Sequence, residues 1–185
     1  MGRTKAAAVW SGVVTLSVFF GVCAGSWANN RWYCWKYLDA NVSFYNGASN
    51  VGSKLYKDYY EEEARTDSNA WDPYTEINLT PSGEGSTDHC NCYSGAYGIN
   101  NWLGLAEIAS YSGCTILRGN CYLNRSYLDS SSYSATNVKH VACQEVGHLW
   151  GLDHQRGKKT TCMNDLILNK PFPNSHDQSM VNSIY

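Results

Sequence analysis

Residues 144–154 read Gln-Glu-Val-Gly-His-Leu-Trp-Gly-Leu-Asp-His, and this stretch decides the predicted fold. On an α-helix, residues four positions apart share a face, so Gln144 and His148 can reach one metal ion together. Glu145 lies beside that ion, where its carboxylate can accept a proton from a bound water molecule. The stretch therefore predicts a helical metal site that carries its own general base.

Two further residues extend the predicted site. Gly151 lets the chain leave the helix sharply, because glycine adopts a positive φ at little cost. His154 can then turn back as a third ligand. Gln144 is the weakest of the three donors, because a neutral amide oxygen binds zinc less strongly than an imidazole nitrogen does. The residues leave two interpretations open. The first is a zinc site in which Gln144 is a weak ligand or holds a metal-bound water, and the second is a site that has lost its metal.

The stretch resembles the extended signature H-E-x-x-H-x-x-G-x-x-H of the metzincin zinc metallopeptidases, with glutamine in place of the first histidine. Met163 follows His154 by nine residues, where metzincins place the methionine of their Met-turn. The ending Gly-Leu-Asp-His is most similar to the matrixin branch, and short secreted bacterial members share the glutamine. The resemblance implies an α+β catalytic domain with a mixed twisted sheet, a metal-site helix, a Met-turn and a C-terminal helix.

The resemblance also implies an activity. One catalytic zinc ion would be held by Gln144, His148 and His154, Glu145 would act as general base, and Met163 would pack beneath the metal. The expected reaction is hydrolysis of peptide bonds in a peptide or protein substrate. Two alternatives stay open: an inactive metzincin-like cleft that serves as a secreted peptide- or protein-binding module, and a zinc ion with a structural role only.

The N-terminus predicts export. A short basic segment precedes an apolar stretch at residues 6–22, and residues 26–28, Ser-Trp-Ala, form a suitable cleavage site. We therefore expect residues 1–28 to be a secretory signal peptide and residues 29–185 to be one secreted metallopeptidase domain. No later segment has the length of about 20 apolar residues that a membrane-spanning helix needs, so no stable membrane insertion is expected after cleavage.

Composition narrows the class of partner. Hydrophobic residues make up 43% of the chain, which suffices for one packed core. The formal net charge is −2 and the pI is about 6.2, so the chain lacks the basic character of a nucleic-acid-binding protein. We expect a monomer whose partner is a peptide or protein substrate.

The chain has eight cysteines, a density that in a small exported protein indicates disulfides rather than a thiolate metal site. Cys143 and Cys162 immediately precede Gln144 and Met163, so a bridge between them would hold the Met-turn beneath the metal helix. This is the favoured pair.

The remaining cysteines are harder to pair. Cys114 and Cys121 flank a six-residue connection that a disulfide could staple. Cys90 and Cys92 are too close in sequence to pair comfortably, so one is expected to join Cys34. Once the signal segment is removed the number of cysteines is odd, and one is left over.

Three histidines lie outside the predicted ligand set. His140, one turn before Gln144, is expected on the helix surface or next to the site, and His89 and His176 are expected on the surface.

By the resemblance, residues 121–124 would be the antiparallel edge strand that holds an extended substrate. An ordinary protected edge is the equal alternative.

Apolar periodicity predicts the other elements. We expect strands within residues 32–45, 75–80, 102–108 and 119–127, and helices from residue 53, from residues 134–136 and over residues 177–184.

Overall fold

Strands between residues 6 and 124 pair into one mixed sheet in the computed structural model, which describes residues 30–85, 89–157 and 159–185 and the backbone of residues 6–8. The strands are β1 (Ala6–Ala8), β2 (Asn41–Asn46), β3 (Asn78–Pro81), β4 (His89–Gly95), β5 (Gly104–Ser112) and β6 (Thr115–Asn124). Their order across the sheet is β1-β5-β6-β4-β2-β3. β4 is parallel to β2 and β6, and β3 is parallel to β2, whereas β5 runs antiparallel to β6 and β1.

Five helices accompany the sheet in the described part of the chain. They are α1 (Tyr56–Glu61), which continues as a π-helical turn (Glu62–Thr66), α2 (Trp71–Tyr74), α3 (Arg125–Leu128), α4 (Ala135–Leu149) and α5 (Ser175–Ile184). The predicted α+β class with a mixed sheet is confirmed. Among the described residues, no helix combines the length and the apolar character needed to cross a membrane. Apart from the backbone of β1, the predicted signal segment lies outside the described residues.

Helix α4 begins where the sequence predicts it. Ser134 is the N-cap: its hydroxyl accepts from the backbone N–H of Asn137, and the Asn137 side chain accepts from the backbone N–H of Ser134. This reciprocal cap satisfies two backbone donors that the first helical turn leaves without partners. The far end closes at Gly151, whose φ is +90°. A Cβ at this position would lie 2.3 Å from the carbonyl oxygen of Trp35, so glycine also allows a close approach of two chain segments.

The predicted edge strand is wrong. Residues 121–124 belong to β6, which is hydrogen-bonded on both sides, to β4 and to β5. Among the strands that follow residue 30, β5 and β3 lie at the two ends of the sheet, and β1 pairs with the outer side of β5. The physical reason is β4, a strand that the sequence analysis did not find. Its parallel pairing with β6, which places Cys92 opposite Cys121, makes β6 an interior strand.

The two disulfides confirm one predicted cysteine pair and contradict another. Cys143 and Cys162 are bonded, with Cα atoms 5.9 Å apart, as predicted. The predicted Cys114–Cys121 bridge is wrong, because Cys114 is bonded to Cys34. The residues between Cys114 and Cys121 form an extended strand, and at about 3.3 Å per residue that strand separates the two cysteines too far for a bond.

The remaining cysteines also differ from expectation. Cys90, Cys92 and Cys121 carry free thiols and are buried. The predicted bond from Cys34 to Cys90 or Cys92 is therefore wrong. Three described cysteines stay unpaired instead of one, and they lie together between neighbouring strands.

A carboxyl group is buried in the π-helical turn. Glu63 is fully buried, and neither of its carboxyl oxygens has a hydrogen-bond partner among the described residues. Burial raises the pKa of Glu63 to about 9, although the positive charge of Lys139 opposes the shift. The native state therefore keeps the Glu63 proton at pH values where the unfolded chain has lost it.

This difference predicts a pH effect on stability. Because the native state holds the extra proton, the free energy of unfolding should fall as pH rises from about 4.5 to about 9. Glu63→Gln should remove the contribution of residue 63 to this pH dependence and raise the free energy of unfolding by about 1–3 kcal/mol at pH 8. Urea denaturation at pH 5 and pH 8 measures the free energy of unfolding of each protein. Glu76→Gln is the matched control, because Glu76 is exposed. An unchanged pH dependence in Glu63→Gln would contradict the assignment.

Candidate active site

Helix α4 buries four polar side chains, and three of them belong to the predicted site. Gln144 and Glu145 are each 6% exposed and His148 is 4% exposed. Polar groups so deeply buried need partners, since an unsatisfied one costs about 1–3 kcal/mol. The contacts of each side chain therefore indicate its role.

The Gln144 amide is held in one orientation. Its Nε2 donates to the backbone oxygens of Cys162, at 3.1 Å, and Asn164, at 2.7 Å. Both donor hydrogens of the amide are thereby used, and Oε1 lies on the side away from this segment. Oε1 is a lone-pair donor, so the orientation suits a ligand of a cation.

His148 presents a nitrogen lone pair inside the protein. Its Nδ1 lies 2.8 Å from the backbone oxygen of Leu152, which can only accept, so Nδ1 carries the proton. Its Nε2 is buried and has no hydrogen-bond partner among the described residues. Burial, reinforced by the nearby charge of His154, lowers the pKa of His148 to about 3. The ring therefore stays neutral, the form in which imidazole binds metals.

His154 reaches the same place after the turn at Gly151. Its ring centroid lies 4.7 Å from that of His148. Its backbone N–H donates to Asp153 Oδ1 at 2.7 Å, so Asp153 orients the turn. Its Nδ1 contacts Asp165 Oδ1, which fixes the ring. Burial alone would raise the pKa of Asp165, but the hydrogen bond and charge of His154 lower it overall.

These donors fit a zinc ion. Two imidazoles and one amide oxygen are contributed by α4 and the turn that follows it, and imidazole is a common zinc ligand. The partnerless His148 Nε2 is a buried polar atom whose desolvation a metal would offset. The carboxylate at His154 Nδ1 matches the support that ligating histidines usually receive. Asp165 was missed by the sequence analysis, because nothing in its local sequence marks it as a partner of His154.

Glu145 faces the edge of the sheet. Burial raises its pKa to about 8, while a hydrogen bond with the backbone of Ala106 opposes the shift. A Cβ at Gly104 would lie 2.5 Å from Glu145 Oε1 and 2.5 Å from Val141 Cγ1. Glycine at the start of β5 therefore leaves the space that the Glu145 carboxyl occupies.

Met163 packs against the underside of α4. It is fully buried, and a Cβ at Gly147 would lie 2.5 Å from its sulfur. Its backbone N–H donates to Thr161 Oγ1 at 3.0 Å, and the Thr161 hydroxyl in turn contacts the buried Asp177. The loop that carries Met163 is thus held to α4 and α5. This agrees with a packing role rather than a ligand role for the methionine.

The histidines outside the ligand set have partners. His140 is fully buried, with Nδ1 2.9 Å from the oxygen of Lys170 and Nε2 3.3 Å from that of Asn164. Of the two expectations for His140, the surface position is wrong. It lies next to the site, because Asn164 also accepts from Gln144. His176 Nε2 lies 3.0 Å from Asn30 Oδ1.

The segment after residue 30 covers His148 and the turn at Gly151. Trp32 donates its backbone N–H to the oxygen of Gly151 at 2.7 Å, and its ring meets that of His148 edge-on, with centroids 5.8 Å apart. Arg31 forms a β-bridge with Leu152. No signal in the sequence connects residues so far apart, and the sequence analysis did not foresee this contact.

Comparison with known proteins does not assign a family or a function to this site. No protein-family model matches the chain, and no curated protein matches it significantly. The interpretation of the site therefore depends on its residues and their contacts.

The tight fit at Gly104 gives a prediction. Gly104→Ala should displace Glu145 or Val141 and lower the free energy of unfolding by about 1–3 kcal/mol, as overpacking in a core does. Gly83→Ala is the matched control, because a Cβ there has nothing within 4 Å. Thermal denaturation of both variants provides the measurement. Equal stability of the two would show that the pocket around Glu145 is looser than described.

Proposed function

We propose that this chain is a zinc-dependent endopeptidase of the metzincin type. The observation that carries the proposal is the buried His148 Nε2 without a hydrogen-bond partner among the described residues, beside the ring of His154. The oriented amide of Gln144 supplies a third donor on the same helix. The mixed sheet with an antiparallel strand at its edge is compatible with this fold.

Each residue then has a defined task. Gln144, His148 and His154 would hold the ion, and Asp165 would keep the His154 ring in position. A zinc ion bound there would act as a Lewis acid that lowers the pKa of bound water towards about 7. Glu145 would accept a proton from the attacking water and later donate it to the leaving amine. Burial raises the pKa of Glu145 to about 8, and the positive charge of a zinc ion beside it would lower that pKa and favour the carboxylate form that a general base needs.

The outer edge of β5 is the feature that favours an extended peptide as the substrate. β1 already pairs with this edge in antiparallel register, with Ala6 opposite Ile108 and Ala8 opposite Ala106. The edge can therefore accept a backbone strand through main-chain hydrogen bonds. Ala106 also contacts Glu145, so a strand bound there would pass close to the general base. β1 lies within the segment that the sequence predicts to be removed, and removal would free the edge.

Export is part of the proposal. Two disulfides join cysteines of the domain, and disulfides persist mainly in oxidising compartments outside the cytosol. The predicted signal peptide at residues 1–28 agrees with this.

The second candidate function is a secreted peptide-binding module without activity. The observation that favours it is Gln144, because an amide oxygen is a weak zinc donor. The same edge of β5 would then bind a partner without cleaving it.

Replacing the general base separates the two candidates. Glu145→Ala should lower hydrolysis of an unfolded protein substrate by at least about 100-fold, while its zinc content stays equal to that of the wild-type protein. His148→Ala is the control and should lose activity together with one equivalent of zinc relative to the wild-type protein. Zinc by atomic emission and cleavage by peptide mass spectrometry are the readouts. A wild-type protein that binds a peptide but never cleaves it, with or without added zinc, would favour the binding module.

The glutamine can be tested by itself. Gln144→His places a stronger donor at the first ligand position, so we expect tighter zinc binding, measured by competition with a chelator of known affinity. If the dissociation constant is the same in both proteins, Gln144 does not bind the ion.

A further inference from the structure

Three cysteines outside the candidate active site face one another in the core. Cys90 and Cys92 alternate along β4 and so project from the same face of the sheet. Cys121 lies directly opposite Cys92 in the parallel pairing of β4 with β6, and Gly119 lies opposite Cys90. This places all three thiols on one face, across two neighbouring interior strands.

The thiols form a compact group. Their sulfur atoms all lie within 4.8 Å of one another, and all three residues are fully buried. Among the described residues no other trio of histidine, cysteine or acidic side chains is grouped in this way. A disulfide needs two sulfurs, whereas here a third also lies within 4.8 Å of both. The arrangement has the form of a three-donor site.

We propose that Cys90, Cys92 and Cys121 bind a single thiophilic metal ion with a filled d shell, Cu(I) or Zn(II). Thiolate sulfur is the ligand that selects these ions. Binding forms three metal–sulfur bonds and releases the thiol protons to solvent. The ion also accounts for the odd number of unpaired cysteines, because the four described cysteines outside this group form two disulfides.

The surroundings of the thiol group are closed and hold two phenol groups. A Cβ at Gly119, opposite Cys90, would meet Leu149 at 2.7 Å and the Tyr37 hydroxyl at 2.8 Å, so the end of α4 and Tyr37 cover this face. Burial raises the pKa of Tyr37 and Tyr60, and the charges of the three cysteines raise it further. Both phenols therefore stay protonated and neutral near the site.

This site is separate from the candidate active site and does not depend on peptidase activity. Its residues lie on β4 and β6, whereas the donors of the candidate zinc site come from α4 and the turn after it. An ion held by the thiols would join the two central strands of the sheet. Its expected role is structural, because a fully buried position gives no substrate access.

The test uses a protein whose candidate active site has been disabled. His148→Ala/His154→Ala, purified without reductant under argon, should still bind about one equivalent of Cu(I) or Zn(II), offered separately and measured after desalting. Cys121→Ser in the same background should lose that equivalent. Cobalt(II) added in place of zinc should give a thiolate charge-transfer absorption that is absent from the Cys121→Ser protein.

A second measurement does not depend on a folded variant. Bound metal should protect all three cysteines of the wild-type protein from alkylation in mild denaturant, as mapped by peptide mass spectrometry. The proposal is overturned if neither ion binds, if the Cys121→Ser protein binds it equally, or if mapping finds a disulfide between two of the three thiols. The proposal is supported if either Cu(I) or Zn(II) binds and if binding requires all three thiols. Because the two ions are offered separately, the sample in which metal is retained identifies the ion.

Discussion

The burial of polar side chains on α4 is the constraint on which the site depends. A helix that brings Gln144, Glu145 and His148 into the core must supply each with a partner, because water is excluded there. The segment at Cys162 and Asn164 serves Gln144, the turn at Leu152 serves His148, and β5 serves Glu145. These contacts leave His148 Nε2 without a hydrogen-bond partner among the described residues, and the proposed zinc ion would bind there.

The loop that carries Met163 is held by a second set of buried contacts. The Asp177 carboxyl contacts the Thr161 hydroxyl and accepts from the backbone N–H of Asn174, and burial raises its pKa. Together with the Cys143–Cys162 bond, these contacts tie the loop to both α4 and α5. In the proposed zinc site, Gln144 would be a weak ligand that benefits from this rigidity, because a preorganised donor loses less entropy when it binds.

Local chemistry made α4 predictable, whereas pairings between distant segments could not be read from the sequence. The cap at Ser134, the spacing from Gln144 to His148 and the glycine at residue 151 all act within a few residues. β4 was missed because its residues, His-Cys-Asn-Cys-Tyr-Ser-Gly, lack an alternation of large apolar side chains. The pairings predicted for Cys34 and Cys114 then failed for the same reason, since they depend on which strands become neighbours. The partners of His154 and the cover formed by Trp32 likewise arise only from tertiary contacts.

The two disulfides lie one after the other along the chain and are not nested. Cys34–Cys114 encloses a separation of 80 residues and Cys143–Cys162 one of 19. By loop-closure entropy, they restrict the unfolded chain by about 4.5 and about 3 kcal/mol respectively. Because the loops share no residues, each restriction is independent of the other. The first loop contains β2, β3, β4 and β5, and the second disulfide joins α4 to the Met163 loop. Four strands of the sheet and the candidate site are therefore secured by separate covalent bonds.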